Sequence, residues 1–287
     1  GHQAAPLYAR SGEASTPRTL FAFLVAGLFA CGVALADEPV SRGIWIDPTE
    51  VRDLPDSGPA WDALLDAAAE STDAPDLSDQ NDMTNVRVMA KALVFVRPGT
   101  QSYRDDVVRA CIAAIGTEED GESLAFGREL AAYVIAADLV GMPPEEDARF
   151  REWIRRALTE ELDGRTLVST HEERPNNWGT HAGASRIAVA AYLGDRKELD
   201  RAATVFKGWL GDRAAYAGFT YKDAWWQADP EKPVGINPKG AAREGHSIDG
   251  VLPDDQRRAG EFAWPPPHEN YVYEALQGAL AQAVVLH

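Results

Sequence analysis

Residues 127–141 read GRELAAYVIAADLVG. Their apolar side chains recur at the three- and four-residue spacing of an α-helix, and they cover more than a single stripe of its surface. Gly141 and the two prolines that follow it end the pattern. A helix that is apolar around most of its circumference is buried between neighbours. This stretch therefore predicts an interior helix over 122–140 in a helical protein.

The same periodicity extends in both directions along the chain. Glycine and proline fall where helices should end, and strand-like alternation is scarce. Consecutive antiparallel helices joined by short turns indicate an all-α fold, an incomplete α/α toroid of helix pairs, over 37–287. The last predicted helix has no glycine cap or proline stop, which is compatible with truncation at the C-terminus. The further predicted helices are 59–70, 83–96, 102–115, 145–161, 178–193, 197–210 and 270–285.

The apolar run at residues 20–35, LFAFLVAGLFACGVAL, is too short for a comfortable membrane span. Arg18 precedes it, and small residues at 34 and 36 close it. The pattern predicts a secretory signal cleaved after Ala36, with a secreted or periplasmic product and no stable membrane association. Residues 1–36 are therefore excluded from the fold. An uncleaved anchor and lipidation at Cys31 are the alternatives, and Phe29 fits a lipidation signal poorly.

The amino-acid composition limits the kinds of partner that the protein can bind. The formal net charge is −17 and the sequence pI is about 4.7, which disfavours nucleic acid because phosphate binding needs a basic surface. An anionic polymer would require the Lys and Arg residues to gather in one cleft. After signal cleavage Cys111 is the one remaining cysteine, so no disulfide is expected and a buried thiol is predicted. The oligomeric state is left open.

The helical pattern breaks between residues 212 and 268. This long stretch is irregular but rich in aromatic residues, which argues against disorder. Aromatic faces in a groove pack against sugar rings, although core packing is the commoner reason for such residues. The candidates for carbohydrate stacking are Trp225, Trp226 and Trp264.

Residues 174–181 read RPNNWGTH and carry the first group of polar candidates. Asn176 is suited to cap the following helix. Asn177 and His181 are four residues apart, so they share one face of its first turn. An amide beside an imidazole at a helix N-terminus can hold a carboxylate, because both donate hydrogen bonds and the helix dipole adds positive potential. A capping Asn and a core His are the alternative interpretation.

Two later segments add further polar side chains. Residues 245–258 read GHSIDGVLPDDQRR, and residues 269–276 read ENYVYEAL. The order Asn-Asn…His, then Asp-Gly-x-x-Pro…Arg, then Tyr…Ala-Leu before a final helix resembles the alginate lyase superfamily. The likeness covers the chain from roughly residue 85 to its end. Members are α/α toroids that depolymerise alginate or related uronans by β-elimination, without an obligatory metal or other cofactor.

The resemblance implies catalytic roles. Asn177, together with Asn176, corresponds to the group that neutralises the substrate carboxylate. Tyr271 corresponds to the catalytic tyrosine, which acts as acid and in some schemes also as base. Arg258 corresponds to the arginine that binds substrate or favours ionisation of the tyrosine. Tyr273 competes with Tyr271, since residues two apart on a helix point to different faces.

The chain departs from the family pattern in two places. Trp178 stands where better-known members have His directly after the Asn pair, so His181 or His246 must supply the imidazole. The segment between Arg258 and Tyr271 is expanded. Besides the stacking tryptophans, the expected substrate-binding residues are Asn176, Trp178, His246, Arg257 and Tyr273.

The β-elimination reaction requires the same types of residue that the family resemblance implies. The C5 proton of a uronate is weakly acidic while the adjacent carboxylate is charged, so hydrogen-bond donors must stabilise an enolate-like intermediate. A base removes that proton and an acid protonates the leaving glycosidic oxygen. A glycoside hydrolase is the rival enzyme and would need two carboxylic acids, with Asp249, Asp254, Asp255 and Glu269 as candidates. The residues are also compatible with a non-catalytic glycan-binding protein, or with a metal site at His246 and Asp249.

Overall fold

The structure is a computed structural model that describes residues 41–97 and 101–287. The predicted signal at 20–35, its cleavage point at Ala36 and Cys31 lie outside the described residues. Within the described residues no helix is long and apolar enough to cross a membrane.

Helices account for nearly all regular structure. The eight helices predicted from periodicity are confirmed, and the helix expected over 145–161 ends four residues earlier. Three short helices, at 48–53, 167–173 and 253–256, were not predicted, and within the described residues the strands are two residues long. The helices are α1 Pro48–Asp53, α2 Pro59–Ala69, α3 Thr84–Val96, α4 Gln101–Ala113, α5 Ser123–Val140, α6 Pro144–Ala157, α7 Leu167–Glu173, α8 Asn177–Leu193, α9 Arg196–Trp209, α10 Pro253–Gln256 and α11 Tyr271–Leu286, with a 3₁₀ turn at Arg257–Ala259 and an antiparallel pair β1 Ala242–Arg243 and β2 His246–Ser247.

The core is built around α5, as its apolar circumference predicts. This helix packs on α3 and on α8, and α8 packs in turn on α7, α9 and α11. The main apolar cluster contains Phe126, Leu130, Tyr133, Phe150 and Trp153, all essentially buried. Burying such large side chains contributes about 1.5–3 kcal/mol each relative to exposure, so this interior is the main stabilising element.

Cys111 lies in the same core. It is buried, as predicted, and burial strongly raises the pKa of its thiol. Its Sγ donates to the carbonyl oxygen of Tyr133 at 3.7 Å.

The contact between α8 and α11 depends on small residues. A Cβ added to Gly278 would lie 2.5 Å from the carbonyl carbon of Thr180. The amide nitrogen of Gln282 donates to the Thr180 carbonyl at 2.8 Å, although Gln282 is almost fully buried. The two backbones therefore approach closely, and the start of α11 is fixed relative to the start of α8.

The segment from 212 to 252 is irregular apart from the small β1–β2 pair, as expected, and α10 interrupts the predicted loop at residue 253. Its aromatic rings pack on one another, with Trp226 and Phe262 centroids 5.0 Å apart. Trp226 is fully buried, and its Nε1 donates to the carbonyl oxygen of Gly260 at 3.0 Å. These contacts fold the segment against the 3₁₀ turn that carries Arg257 and Arg258.

Candidate active site

The site is centred on the first turn of α8. Asn176 is the N-cap, and its Oδ1 accepts from the Trp178 backbone N–H at 3.2 Å. Its Nδ2 donates to Asp254 Oδ2 at 2.9 Å, and the Asn177 backbone N–H donates to Asp255 Oδ1 at 3.0 Å. Two acids of α10 therefore hold the start of α8, where carboxylates are favoured by the free N–H groups and the helix dipole.

The Asn177 side chain joins the three predicted polar segments. Its Oδ1 accepts from an Arg258 Nη at 2.9 Å, and its Nδ2 donates to Glu274 Oε2 at 3.2 Å. Arg258 lies in the 3₁₀ turn and Glu274 in the first turn of α11. Groups almost a hundred residues apart in sequence are thus connected through one amide.

Tyr271 is the tyrosine connected to this group. The guanidinium carbon of Arg258 lies 3.8 Å from the centroid of the Tyr271 ring, within the range of a cation–π contact. Tyr271 is 39% exposed, so part of this residue is open to solvent or a ligand. Tyr273 is 62% exposed and packs loosely near His268, with ring centroids 6.4 Å apart.

Two of the expected catalytic groups are covered. Asn177 has no exposed surface, so in this arrangement its side chain does not contact a ligand directly. His181 is also buried, and its Nε2 has no hydrogen-bond partner. Burial first, and then the charge of Arg128, lowers the pKa of His181 to about 3. Its imidazole is therefore neutral at neutral pH and supplies no positive charge to a carboxylate.

Asp255 is the most perturbed acid of the site. It is fully buried, and its Oδ2 has no hydrogen-bond partner. Burial raises its pKa to about 8, partly opposed by the Asn177 N–H and the charge of Arg258. A group with no exposed surface cannot contact a polymer, so Asp255 acts on the position of α8.

Arginine side chains gather here despite the acidic composition. Arg257 Nε lies 3.2 Å from Asp254 Oδ1, and its Nη1 lies 3.7 Å from Asp223. Arg174 precedes the Asn pair, and its guanidinium carbon lies 4.7 Å from the centroid of the Trp178 ring. Arg174, Arg257 and Arg258 therefore lie near the start of α8, and Asp254 forms an ion pair with Arg257.

The remaining predicted binding residues form a separate aromatic cluster. His246 stacks on Trp264 with centroids 4.6 Å apart and planes 9° from parallel. Trp264 is 48% exposed, and Trp225 is half-buried. Trp226 has no exposed surface, so the expectation that it stacks on sugar is wrong in this structure. Among the described residues, no hydrogen bond, ion pair or ring contact joins this cluster to Asn177.

The acids proposed for a hydrolase do not form an exposed pair. Asp254 and Asp255 are buried and hydrogen-bonded to the start of α8. Asp249 is exposed on the loop, and Glu269 accepts from the Tyr271 backbone N–H at 3.0 Å. Within the described residues, no group of three or more His, Cys, Asp or Glu side chains has a geometry that could hold a metal ion.

Glu274 was missed from the sequence, and Asp254 and Asp255 were considered only as hydrolase acids. One signal was available for Glu274, which lies three residues after Tyr271 and so shares its helix face. Nothing in the local sequence indicates that the Asp pair contacts the Asn pair, because the contact spans 78 residues.

The fold and this site define a helical protein in which amide, guanidinium and phenol groups meet at one helix terminus. The model of the alginate lyase family matches residues 115–224, which confirms the resemblance to that family over this part of the chain. The matched segment contains Asn176, Asn177 and His181 but ends before Arg258 and Tyr271. It supports polysaccharide lyase activity in general. No curated protein and no solved structure gives a significant match to the chain.

Proposed function

We propose that this protein cleaves a uronic-acid polymer, alginate or a related uronan, by β-elimination. The observation that carries the proposal is the contact of Arg258 with Tyr271, at 3.8 Å from the ring centroid, in a site that Asn177 joins to α11. A fixed cation beside an accessible phenol is the pairing that elimination from a uronate requires, since it combines charge stabilisation with proton transfer.

Arg258 is the proposed partner of the substrate carboxylate. Its planar guanidinium can donate two parallel hydrogen bonds to a carboxylate, which lowers the cost of forming negative charge at C5. Asn177 is then a positioning residue, because its buried Oδ1 fixes the guanidinium that touches the substrate. This differs from the direct contact that the family resemblance implies for Asn177.

Tyr271 is the proposed proton-transfer group. As phenolate it accepts the C5 proton, and the electron pair left behind forms the C4–C5 double bond while the bond from C4 to the glycosidic oxygen breaks. The phenol then gives its proton to the departing oxygen, which regenerates the phenolate. His181 is buried and neutral, so the scheme assigns it no proton transfer.

The surroundings of the site support a polysaccharide substrate. The exposed Trp264 ring and the arginines near α8 suit a polymer that is both cyclic and anionic. We infer that the helices form an incomplete α/α toroid, in which successive helix pairs surround the cleft. Secretion or export to the periplasm, following cleavage at Ala36, brings the enzyme to such a polymer.

Product chemistry tests the proposal. The protein is incubated with polymannuronate, polyguluronate, glucuronan and a glycosaminoglycan, and absorbance at about 235 nm is followed for the unsaturated product that elimination leaves. A rise that Tyr271→Phe abolishes supports the lyase. New reducing ends without absorbance would mean hydrolysis. Binding without any shortening of the polymer would mean a glycan-binding protein.

A further inference from the structure

The arginines near the start of α8 differ in whether an acid neutralises them. Arg165 Nη1 lies 2.9 Å from Glu173, and Arg257 Nε lies 3.2 Å from Asp254. Arg174 has no carboxylate partner and no side-chain hydrogen bond among the described residues. Its Nε is buried without a partner. No acid of the described residues therefore neutralises Arg174 by direct contact.

Arg174 and Arg258 are held in the same way. Each guanidinium lies over an aromatic ring, Arg174 over Trp178 at 4.7 Å and Arg258 over Tyr271 at 3.8 Å. A guanidinium stacked on a ring uses its face, so the N–H groups on its edge stay available for a carboxylate. Arg258 also lacks an ion pair among the described residues, and one of its N–H groups donates to Asn177.

Arg174 and Arg258 are both connected to Asn177. Arg174 is joined to Asn177 through Pro175 and Asn176, and Arg258 bonds the Asn177 side chain. Burial is the largest effect that lowers the pKa of Arg174; the charges of Arg165 and, less strongly, Arg258 lower it further, whereas the charges of Asp254 and Glu173 raise it. Arg174 therefore lies within electrostatic range of Arg258, and a substrate carboxylate would add to the partial compensation that these two acids provide.

We propose that Arg174 is a specificity-determining residue that binds the carboxylate of the sugar next to the one reacting at Arg258. Such a contact requires uronates on adjacent residues, as in the uronans of the proposed function. A polymer in which uronate alternates with a neutral or N-acetylated sugar places no carboxylate at Arg174. This inference rests on the proposed lyase function and adds the residue that contacts the neighbouring sugar.

Kinetics of Arg174→Gln test the inference. On an oligouronate, KM should rise about five- to thirtyfold while kcat stays within about twofold, because the lost contact lies outside the reacting sugar. Arg174→Lys should recover part of the loss, since the charge remains. The matched control is Arg196→Gln, an exposed arginine without an ion pair among the described residues, just beyond the opposite end of α8. It should leave both constants unchanged.

The second arm varies the substrate. Partial reduction of the carboxyl groups to alcohols removes carboxylates at random, and the ratio of KM between Arg174→Gln and the wild type should fall towards one as reduction proceeds. A KM ratio that stays constant would show that Arg174 does not bind a substrate carboxylate. Equal cleavage of an alternating glycosaminoglycan and a homouronan by the wild type would also overturn the inference.

Binding separates this inference from the proposed function. A fluorescent oligouronate is titrated into Tyr271→Phe and into the double variant with Arg174→Gln. Weaker binding by the double variant supports the inference. Equal binding, with normal formation of unsaturated product by Arg174→Gln, would overturn the inference and leave the lyase intact. Absence of both binding and cleavage by the wild type would overturn the lyase proposal itself, and the inference with it.

Discussion

The Nδ2 of Asn177 donates to Oε2 of Glu274 over 3.2 Å, and this bond connects the first turn of α8 to the first turn of α11. The Oδ1 of the same amide accepts from Arg258. A carboxamide has both a donor and an acceptor, so it can bond a carboxylate and a guanidinium together. The pairing explains why an amide, rather than an acid, stands at position 177.

Exchanging the amide of Asn177 and the carboxylate of Glu274 tests the hydrogen bond between them. Asn177→Asp removes the donor and makes two carboxylates face each other, so we expect a loss of about 1–3 kcal/mol in the free energy of unfolding, together with a large loss of activity. In Asn177→Asp/Glu274→Gln the new amide donates to the new carboxylate, and Arg258 keeps its acceptor. The double variant should regain most of the stability in thermal melts, and a double variant no more stable than Asn177→Asp would contradict the pairing.

Tyr271 and Tyr273 are distinguished by their contacts. Tyr271→Phe keeps the ring under Arg258 but removes the hydroxyl, and the initial rate of double-bond formation should fall about 10²–10⁴-fold, the usual contribution of a general acid or base. Tyr273→Phe should retain nearly the full rate, because that ring has no contact with Arg258. A normal rate for Tyr271→Phe would exclude it as the proton-transfer group.

Periodicity was enough to predict the long helices, because eight of them present enough turns for an apolar pattern to be recognised. The helix α10 has four residues and α7 has seven, which is too short for that pattern. The meeting of Asn177, Arg258 and Tyr271 was anticipated from a family resemblance alone, since no local signal connects residues so distant in sequence.

Burial could not be predicted at single positions. A tryptophan in an aromatic-rich loop can stack on sugar or fill a core, and Trp226 turned out to be fully buried while Trp264 is 48% exposed. The same uncertainty applied to His181, where the alternative of a core histidine agrees with the structure. Which neighbour covers a side chain depends on long-range packing, and the spacing of residues along one helix does not contain that information.

Glu129 provides a test of pH-dependent stability. It is 1% exposed, neither carboxylate oxygen has a hydrogen-bond partner, and burial, followed by the charge of Asp82, raises its pKa to about 9. An acid whose pKa is raised in the folded state contributes stability below its unfolded pKa of about 4.3, and that contribution is lost as pH rises towards 9. Asp255, with a pKa of about 8, acts in the same direction.

The variant Glu129→Gln mimics the protonated acid at every pH. Its Tm should be close to that of the wild type near about pH 5 and should exceed it near about pH 9, because only the wild type must then bury an ionised group or take up a proton. Circular dichroism melts across this range give the comparison. Glu119→Gln, at an exposed position, is the control and should follow the wild type. A difference that does not change with pH would contradict the prediction.

Trp264 offers one ring face to His246 and leaves about half of its surface exposed. If the free face packs on a sugar, Trp264→Ala should raise KM about three- to tenfold with little change in kcat, as expected for loss of one aromatic contact. Tyr103→Ala is a suitable control, because this half-buried ring lies on α4, where Lys91 contacts it. An unchanged KM for Trp264→Ala would remove the aromatic cluster from the binding site.

Gly278 determines how closely α11 approaches α8. The substitution Gly278→Ala has two opposite effects on the free energy of unfolding, and the size of each is known. Alanine favours an isolated helix by about 1 kcal/mol, whereas forcing a methyl group into a packed contact costs about 1–3 kcal/mol. The added Cβ would meet backbone atoms, 2.5 Å from the Thr180 carbonyl carbon and 2.6 Å from the His181 nitrogen, which cannot rotate away as a side chain could. The steric cost should therefore dominate and lower Tm. Activity should fall as well, since α11 carries Tyr271.

The control is Gln277→Ala, at the exposed neighbouring position, which should leave both Tm and activity unchanged. A Gly278→Ala variant as stable and active as the wild type would show that the two helices can separate without consequence for the site.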